Sequence, residues 1–362
     1  MKISYKKIYS VILLQLILIG CGDKINLNQF DLTESNPNIG GDIVYIQMNP
    51  IWDGFNKPQD IIIGNEPFIY IADTENDRIV MLNLDGRILG TRTIQKPVAL
   101  AQDFQLNLIV SAKFDTVVNG ISQTYNAIYK IDLAAVNHQI EIAPINMLLP
   151  KSTSDLSNPD REYKGIAVFY DNSFVIARTG PKNSSLSDPD NSLLLFKKQI
   201  DINGKEKDTL TGRIPGLDPL GGGIPSAYSI SSLKSFSGNT FDLIFTLTGS
   251  NAFKAQWLEY IDSREFTGYV SKFSLSENDF MIPNRFSNPE GLTIDAAGNI
   301  YVVDAEKDSI YKFNSFGDKL LSFGGQNLFN HPHAAAHFDK TLYVADTENN
   351  RIIRFILSTD IQ

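Results

Sequence analysis

The sequence predicts an all-β chain folded as a six-bladed propeller, and three observations carry that prediction. The segment Tyr70-Ile71-Ala72-Asp73-Thr74-Glu75-Asn76-Asp77-Arg78-Ile79 returns near the C-terminus as Tyr343-Val344-Ala345-Asp346-Thr347-Glu348-Asn349-Asn350-Arg351-Ile352. A third copy runs from Pro289 through Tyr301-Val302-Val303-Asp304 to Ile310, and Asp304 and Asp346 stand 42 residues apart, the period of a four-stranded blade. A unit that short cannot bury both of its faces alone, so several must stack around an axis.

The elements follow in chain order. Residues 1–20 carry Lys2, Lys6 and Lys7, then an apolar stretch from Val11 to Gly20 that ends at Cys21. At roughly 10 residues the stretch is too short to span a bilayer, and its basic flank is a signal-peptide feature. Leu18-Ile19-Gly20-Cys21 resembles the lipobox of bacterial lipoproteins. The resemblance implies cleavage before Cys21, diacylglycerol on its thiol and attachment to a membrane surface of the bacterial cell envelope, periplasmic or outer. Each buried acyl methylene contributes about 0.8 kcal/mol, so two or three chains anchor a domain without any transmembrane helix. Gly22, where Asp would act as a retention signal, favours export to an outer membrane.

Residues 21–41 are polar and turn-rich, and read as a tether. Cys21 is the only cysteine, so the domain folds without an internal disulfide. Losing the three signal lysines takes the net charge from −9 to −12, which repels phosphate backbones and argues against nucleic-acid binding. The propeller occupies 42–362, ample for one large core, and is expected to be a monomer.

Six first strands align at Pro58-Gln59-Asp60-Ile61, Pro97-Val98-Ala99-Leu100, Tyr163-Lys164-Gly165-Ile166, Pro225-Ser226-Ala227-Tyr228, Pro289-Glu290-Gly291-Leu292 and Pro332-His333-Ala334-Ala335. The third position is usually small, as strands crowding an axis require. A seventh blade would need to hide between 198 and 225. The last blade runs out of chain after Ile352-Ile353-Arg354-Phe355-Ile356, and Ile43-Val44-Tyr45-Ile46-Gln47 has the alternation to supply its missing outer strand.

Pro289-Glu290-Gly291-Leu292, Gly298-Asn299-Ile300-Tyr301-Val302 and Ala345-Asp346-Thr347-Glu348-Asn349-Asn350-Arg351-Ile352 resemble NHL repeats. The match is specific in blades one, five and six. In blades two to four the Asp ending the second strand gives way to Lys113, Arg178 and Thr248. Asp73, Asp304 and Asp346 are expected to accept from backbone amides just after them, and Arg78 and Arg351 to pair with a turn or neighbouring-blade carboxylate.

From second strand to third, blades one, five and six spend five residues, whereas blades two, three and four spend 14, 14 and 21. The crossings Pro150 to Arg161 and Pro215 to Pro225 are also long. All of these fall on one propeller face, and a scaffold that extends loops on one face is usually building a binding surface. In the longest segment Phe253, Trp257, Leu258 and Ile261 fall at helical spacing, which predicts a short rim helix presenting Phe253 and Trp257 as a candidate binding patch.

The resemblance brings a rival function, because six-bladed propellers of this kind include metal-dependent lyases and resemble calcium-dependent lactonases with ligands in the axial channel. Around the channel mouth the sequence places Gln59, Val98, Lys164, Ser226, Glu290 and His333, of which Gln59, Lys164, Glu290 and His333 are the candidate site. His331, His333 and His337 read as one strand, so His331 and His337 would lie about 20 Å apart and cannot share an ion. His331 or His333 with Glu290 leaves two ligands where zinc wants three or four. The expectation is therefore no cofactor, with calcium or zinc belonging to the rival reading. Only Trp52 and Trp257 are present, too few for the tryptophan-docked quinoprotein propellers. Gly221-Gly222-Gly223 lacks the Lys and Ser/Thr of a phosphate loop, and Asp188-Pro189-Asp190-Asn191 lacks EF-hand spacing and reads as a solvated loop. The sequence thus points to a lipid-anchored, non-catalytic module binding a protein or small molecule on the elaborated face; a metal-dependent lyase or lactonase-like hydrolase is the alternative.

Overall fold

The structure is a computed structural model that describes residues 43–151, 155–249, 253–272 and 279–361. The signal segment, Cys21 and the tether lie outside the described residues. Strand β1 (Tyr45–Trp52) is followed by blade one, β2–β5 (Pro58–Ile63, Ile69–Asp73, Arg78–Leu82, Ile88–Thr93), and blade two, β6–β9 (Ala99–Gln102, Asn107–Val118, Ile121–Asp132, Ile145–Leu149). Blade three is β10–β13 (Glu162–Val168, Phe174–Thr179, Ser192–Ile200, Glu206–Arg213), and blade four β14–β17 (Ser229–Ser235, Leu243–Thr248, Ala255–Asp262, Thr267–Ser271). Blade five is β18–β21 (Pro289–Ile294, Ile300–Asp304, Ser309–Phe313, Lys319–Gly324), and β22–β24 (Ala334–Phe338, Thr341–Asp346, Arg351–Leu357) begin blade six. Each blade is a four-stranded antiparallel sheet, and the first strands β2, β6, β10, β14, β18 and β22 contact one another in a closed ring. No seventh blade lies between 198 and 225, where β12 ends, β13 runs and a crossing begins.

The core is divided among the blade interfaces. Ile79, Leu100 and Val110 pack between blades one and two, Phe174 and Ile128 between two and three, Phe245 and Val175 between three and four. Leu292 and Trp257 fill the space between four and five, Phe355 and Val303 between five and six, and Trp52 and Ile71 between six and one. Middle strands bury both faces, so β3, β19 and the interior of β23 read as continuous apolar runs rather than alternating ones.

The ring closes through the N-terminal segment. Strand β1 pairs antiparallel with β24, Tyr45 opposite Leu357 and Gln47 opposite Phe355, and becomes the outer strand of blade six. The pairing supplies the strand that the C-terminal blade lacks and covers an edge that would otherwise offer unpaired amides. Trp52 ends β1 buried against Tyr343 at 5.7 Å, with the Arg354 guanidinium 4.7 Å from its ring centre. Among the described residues no helix is long and apolar enough to cross a membrane.

The repeat residues are joints between blades. Asp73 is fully buried; its Oδ1 accepts from the Asn56 amide at 2.7 Å and its Oδ2 from Asn76 Nδ2 and Arg78 Nε at 2.9 and 2.7 Å. Asp346 repeats this with the Asn330 amide, Asn349 and Arg351, and Asp304 holds the Ser287 and Asn288 amides. The backbone amides that these carboxylates accept therefore belong chiefly to the chain entering the blade, 16 or 17 residues earlier, because the long crossing has amides that no sheet satisfies. The turns then reach forward. Thr74 and Thr347 donate to the Pro97 and Pro58 carbonyls of the next blade, each at 2.7 Å.

Candidate functional site

The six first strands leave the axis open. On the face where blades are entered, a cavity of about 140 Å³ is bordered by Gln59, Val98, Lys164, Ser231, Glu290 and His333, one residue from each blade. Gln59, Lys164, Glu290 and His333 thus meet at one opening, as the alignment placed them. Blade four differs. Pro225-Ser226-Ala227-Tyr228 is a turn, closed by the Tyr228 amide on the Pro225 carbonyl at 3.2 Å, and β14 starts only at Ser229. Ser231 fills the position expected of Ser226 and donates to the Pro289 carbonyl at 2.5 Å. The small residues below the mouth are there for proximity: a Cβ on Gly291 would stand 2.2 Å from the His333 carbonyl oxygen, and one on Gly165 2.5 Å from the Leu233 amide.

The mouth has mixed charge. Lys164 pairs with Glu162 at 3.1 Å, and Glu290 accepts from Asn288 Nδ2 at 2.9 Å. Burial pushes the His333 imidazole below its ordinary value; the Lys164 charge adds to this and Glu290 opposes it, so the ring is neutral at pH 7. His331 and His333 both precede β22, and His331 takes a left-handed conformation at φ 47° before Pro332, as Lys57 and Lys96 do before Pro58 and Pro97. Its amide is held by Asp308 at 2.7 Å, as Asp77 holds Lys96. His337, the one histidine inside β22, lines the opposite end of the axis and stacks on Tyr301 at 5.6 Å. Among the described residues no three His, Cys, Asp or Glu converge as a metal-holding group. The donors at the mouth, His333 and Glu290, do not make a zinc or calcium cage.

Two charged residues deeper in the channel escaped the sequence reading. Asp60 occupies the position that is Ala99, Gly165, Ser232, Gly291 and Ala334 in the other blades, and Lys234 the one that is Ile62, Ala101, Ala167, Thr293 and Ala336. Asp60 accepts from the Leu100 amide at 2.7 Å and the Ile61 amide at 2.9 Å. Burial raises its carboxyl above the usual carboxylate range, while the Lys234 charge and these two amides pull the other way. Asp60 was visible as the one charge among crowded small residues. Lys234 was hidden by the five-residue displacement of blade four.

The elaborated face needs three corrections. Residues 114–127 of blade two are not a loop: β7 and β8 continue as a hairpin from Lys113 opposite Asn126 out to Val118 opposite Ile121. Its tip, Asn119-Gly120, has φ 51° and 80°, the pattern of a type I′ turn. In blade four the expected rim helix is β16, so the connection is 249–254. Trp257 is only 4% exposed, stacked on Phe236 at 4.6 Å beneath Lys272 Nζ at 4.1 Å. Phe253, 41% exposed, remains at the surface, so the two do not form one patch.

Asp188-Pro189-Asp190-Asn191 is the core of the blade-three loop rather than a solvated stretch, with Asp190 and Asn191 buried. Arg161, from the crossing, donates to Asp190 and Asp188, both at 2.6 Å. Arg178 donates to Asp188 Oδ1 and the Pro189 carbonyl, also at 2.6 Å. Asn191 Nδ2 reaches the Tyr228 carbonyl at 2.7 Å and ties the loop to the next crossing.

No protein-family model matches the sequence, and no curated protein does. Solved structures are similar in fold. A gluconolactonase from Xanthomonas campestris is 12% identical at a TM-score of 0.54, covering 88% of this chain and 90% of that one. An auxiliary nutrient binding protein from Bacteroides thetaiotaomicron is 11% identical at 0.55, covering 84% and 70%. A calcium-binding protein, regucalcin, from Agrobacterium tumefaciens is 14% identical at 0.51, covering 84% and 91%. At these identities the likeness is one of fold.

Proposed function

We propose that this chain is a lipid-anchored, non-catalytic binding module of the bacterial cell envelope that takes a protein or small-molecule ligand on the elaborated propeller face. The observation that carries the reading is the concentration of long connections in adjacent blades on the mouth side: the blade-two hairpin, the blade-three loop and the crossings before blades three and four. Their tips expose Val117, Ile121, Leu186 and Leu220, while the Arg161 and Arg178 network holds the bases. Ordering loops through buried ion pairs is expensive unless the geometry is used. A monomer of net negative charge fits this role, and nucleic acid does not. Likeness to an auxiliary nutrient binding protein is compatible with it.

The test is a trimmed chain lacking Thr116–Val117 and Ser122–Gln123, paired residues whose joint loss keeps the hairpin register, combined with Leu186→Ser. Binding partners or small molecules captured by the wild type should be lost by the trimmed chain at unchanged melting temperature. Equal binding by both sinks the face assignment. The anchor is tested separately: Cys21→Ser should release the protein from the detergent phase. The rival reading, a metal-dependent lyase or lactonase-like hydrolase, draws on Glu290 and His333 at the mouth. Stoichiometric calcium or zinc that survives dialysis and is lost in Glu290→Ala would favour it.

A further inference from the structure

The axis holds a second, smaller site that the loop-face reading does not use. Two cavities, about 140 Å³ on the mouth side and about 240 Å³ on the far side, both touch Ile166 and Lys234. Lys234 therefore stands at the waist of the channel. Its ammonium makes no hydrogen bond or ion pair with any described residue, and the Asp60 carboxyl that senses its charge belongs to blade one, across the ring from blade four. Lys234 is partly exposed to the channel, so its ammonium is open to a ligand there. Four blades close the same ring with Ala, Gly or Thr at both positions, so packing around the axis does not demand either charge.

Each Asp60 oxygen accepts one backbone amide and keeps lone-pair capacity for a further donor. The hydroxyl of Ser232, beside Lys234 in the mouth-side cavity, also makes no bond to any described residue. A cation, an acceptor across from it and a free hydroxyl describe a ligand with a compact anionic end and an adjacent donor. Drug-sized ligands need ~300–1,000 Å³, so this occupant is small. A phosphate would bring several acceptors against Asp60 and Glu290, and a neutral sugar would leave Lys234 unpaired.

We propose that the channel waist binds a small carboxylate with a hydroxyl or ammonium on the neighbouring carbon, its carboxylate on Lys234 and its donor on Asp60. The site is independent of the loop-face reading, since trimming the loops leaves both residues in place. The test is calorimetric titration of the full propeller with L-lactate and glycine, against propionate, which lacks the donor, and glycerol, which lacks the charge. L-lactate or glycine should bind at least tenfold more tightly than propionate, glycerol should not bind, and the preferred probe distinguishes hydroxy from amino acids. Lys234→Met should lose the binding at least tenfold, whereas Lys234→Arg, which keeps the charge that Asp60 senses, should retain part of it. Asp60→Asn should narrow the preference over propionate. Absence of saturable binding by either probe, or equal binding by wild type and Lys234→Met, would each overturn the assignment.

Discussion

Blades one and three solve the same problem with opposite charges. Both must hold an incoming crossing against the turn between their second and third strands. In blade one the fixed point is an acceptor, Asp73, and five residues suffice because Arg78 and Asn76 beside it donate. In blade three the same place holds a donor, Arg178, opposite Tyr163 as Asp73 is opposite Pro58. Acceptors must then be brought to it, and Asp188, Pro189 and Asp190 arrive on a loop spanning 180–191. Loss of the repeat signature is thus an inversion of a joint, and the longer loop follows from the inversion.

The comparison can be broken in graded steps. The largest effect should come from deleting residues 43–48, which strips the edge from the regular blade six; a loss on the order of 5 kcal/mol would consume much of a domain's usual margin, and denaturant unfolding would show it. Arg178→Met should cost about 2–4 kcal/mol by taking the donor from the buried Pro189 and Asp190 carbonyls and one of two cations from Asp188, and adding Asp190→Ala should cost less than the sum of the two. In the regular blades Asp346→Ala should cost about 1–3 kcal/mol, the penalty of an orphaned amide and guanidinium. Equal losses in the Arg178 and Asp346 variants would mean that the two joints are interchangeable.

Acid should separate the joints more gently. Burial alone would raise the Asp188 carboxyl, but Arg178 and Arg161 outweigh it and hold the group below its ordinary value. A depressed folded value contributes stability above the unfolded pKa of about 3.9 and loses it as pH falls through the folded value. Proteolysis within 180–191 should therefore rise as pH drops below about 4, and Arg178→Met, which leaves only Arg161 on Asp188, should weaken that dependence. The smallest effect is expected from trimming the hairpin tip, about 0.5 kcal/mol or less, read by thermal melting.

Where the repeat was intact the sequence was a reliable guide. Asp73, Asp304 and Asp346 sit at matching joints, Tyr45 to Gln47 close the ring, and the mouth residues of five blades meet at one opening. What failed had physical causes. Trp257 faces the interface with blade five and Leu258 the one with blade three, so β16 buries both faces and its apolar positions mimic a helical stripe. The Asn119-Gly120 turn between alternating runs was a legible hairpin signal and passed unread. Blade four was aligned on a proline that belongs to a crossing, and Lys234 went unnoticed with it.

The direction of β1 bears on how the molecule carries load. The strand enters at Tyr45, opposite Leu357, on the face away from the channel mouth, and climbs to Trp52, opposite Ile352. A pull on the chain ahead of Ile43 therefore acts along the strand axis. The Tyr45 to Met48 pairs and the Ser358 amide on the Val44 carbonyl would be strained together rather than unzipped in turn. Traction from that end meets the blade in shear, with the elaborated loops at the far end of the line of force.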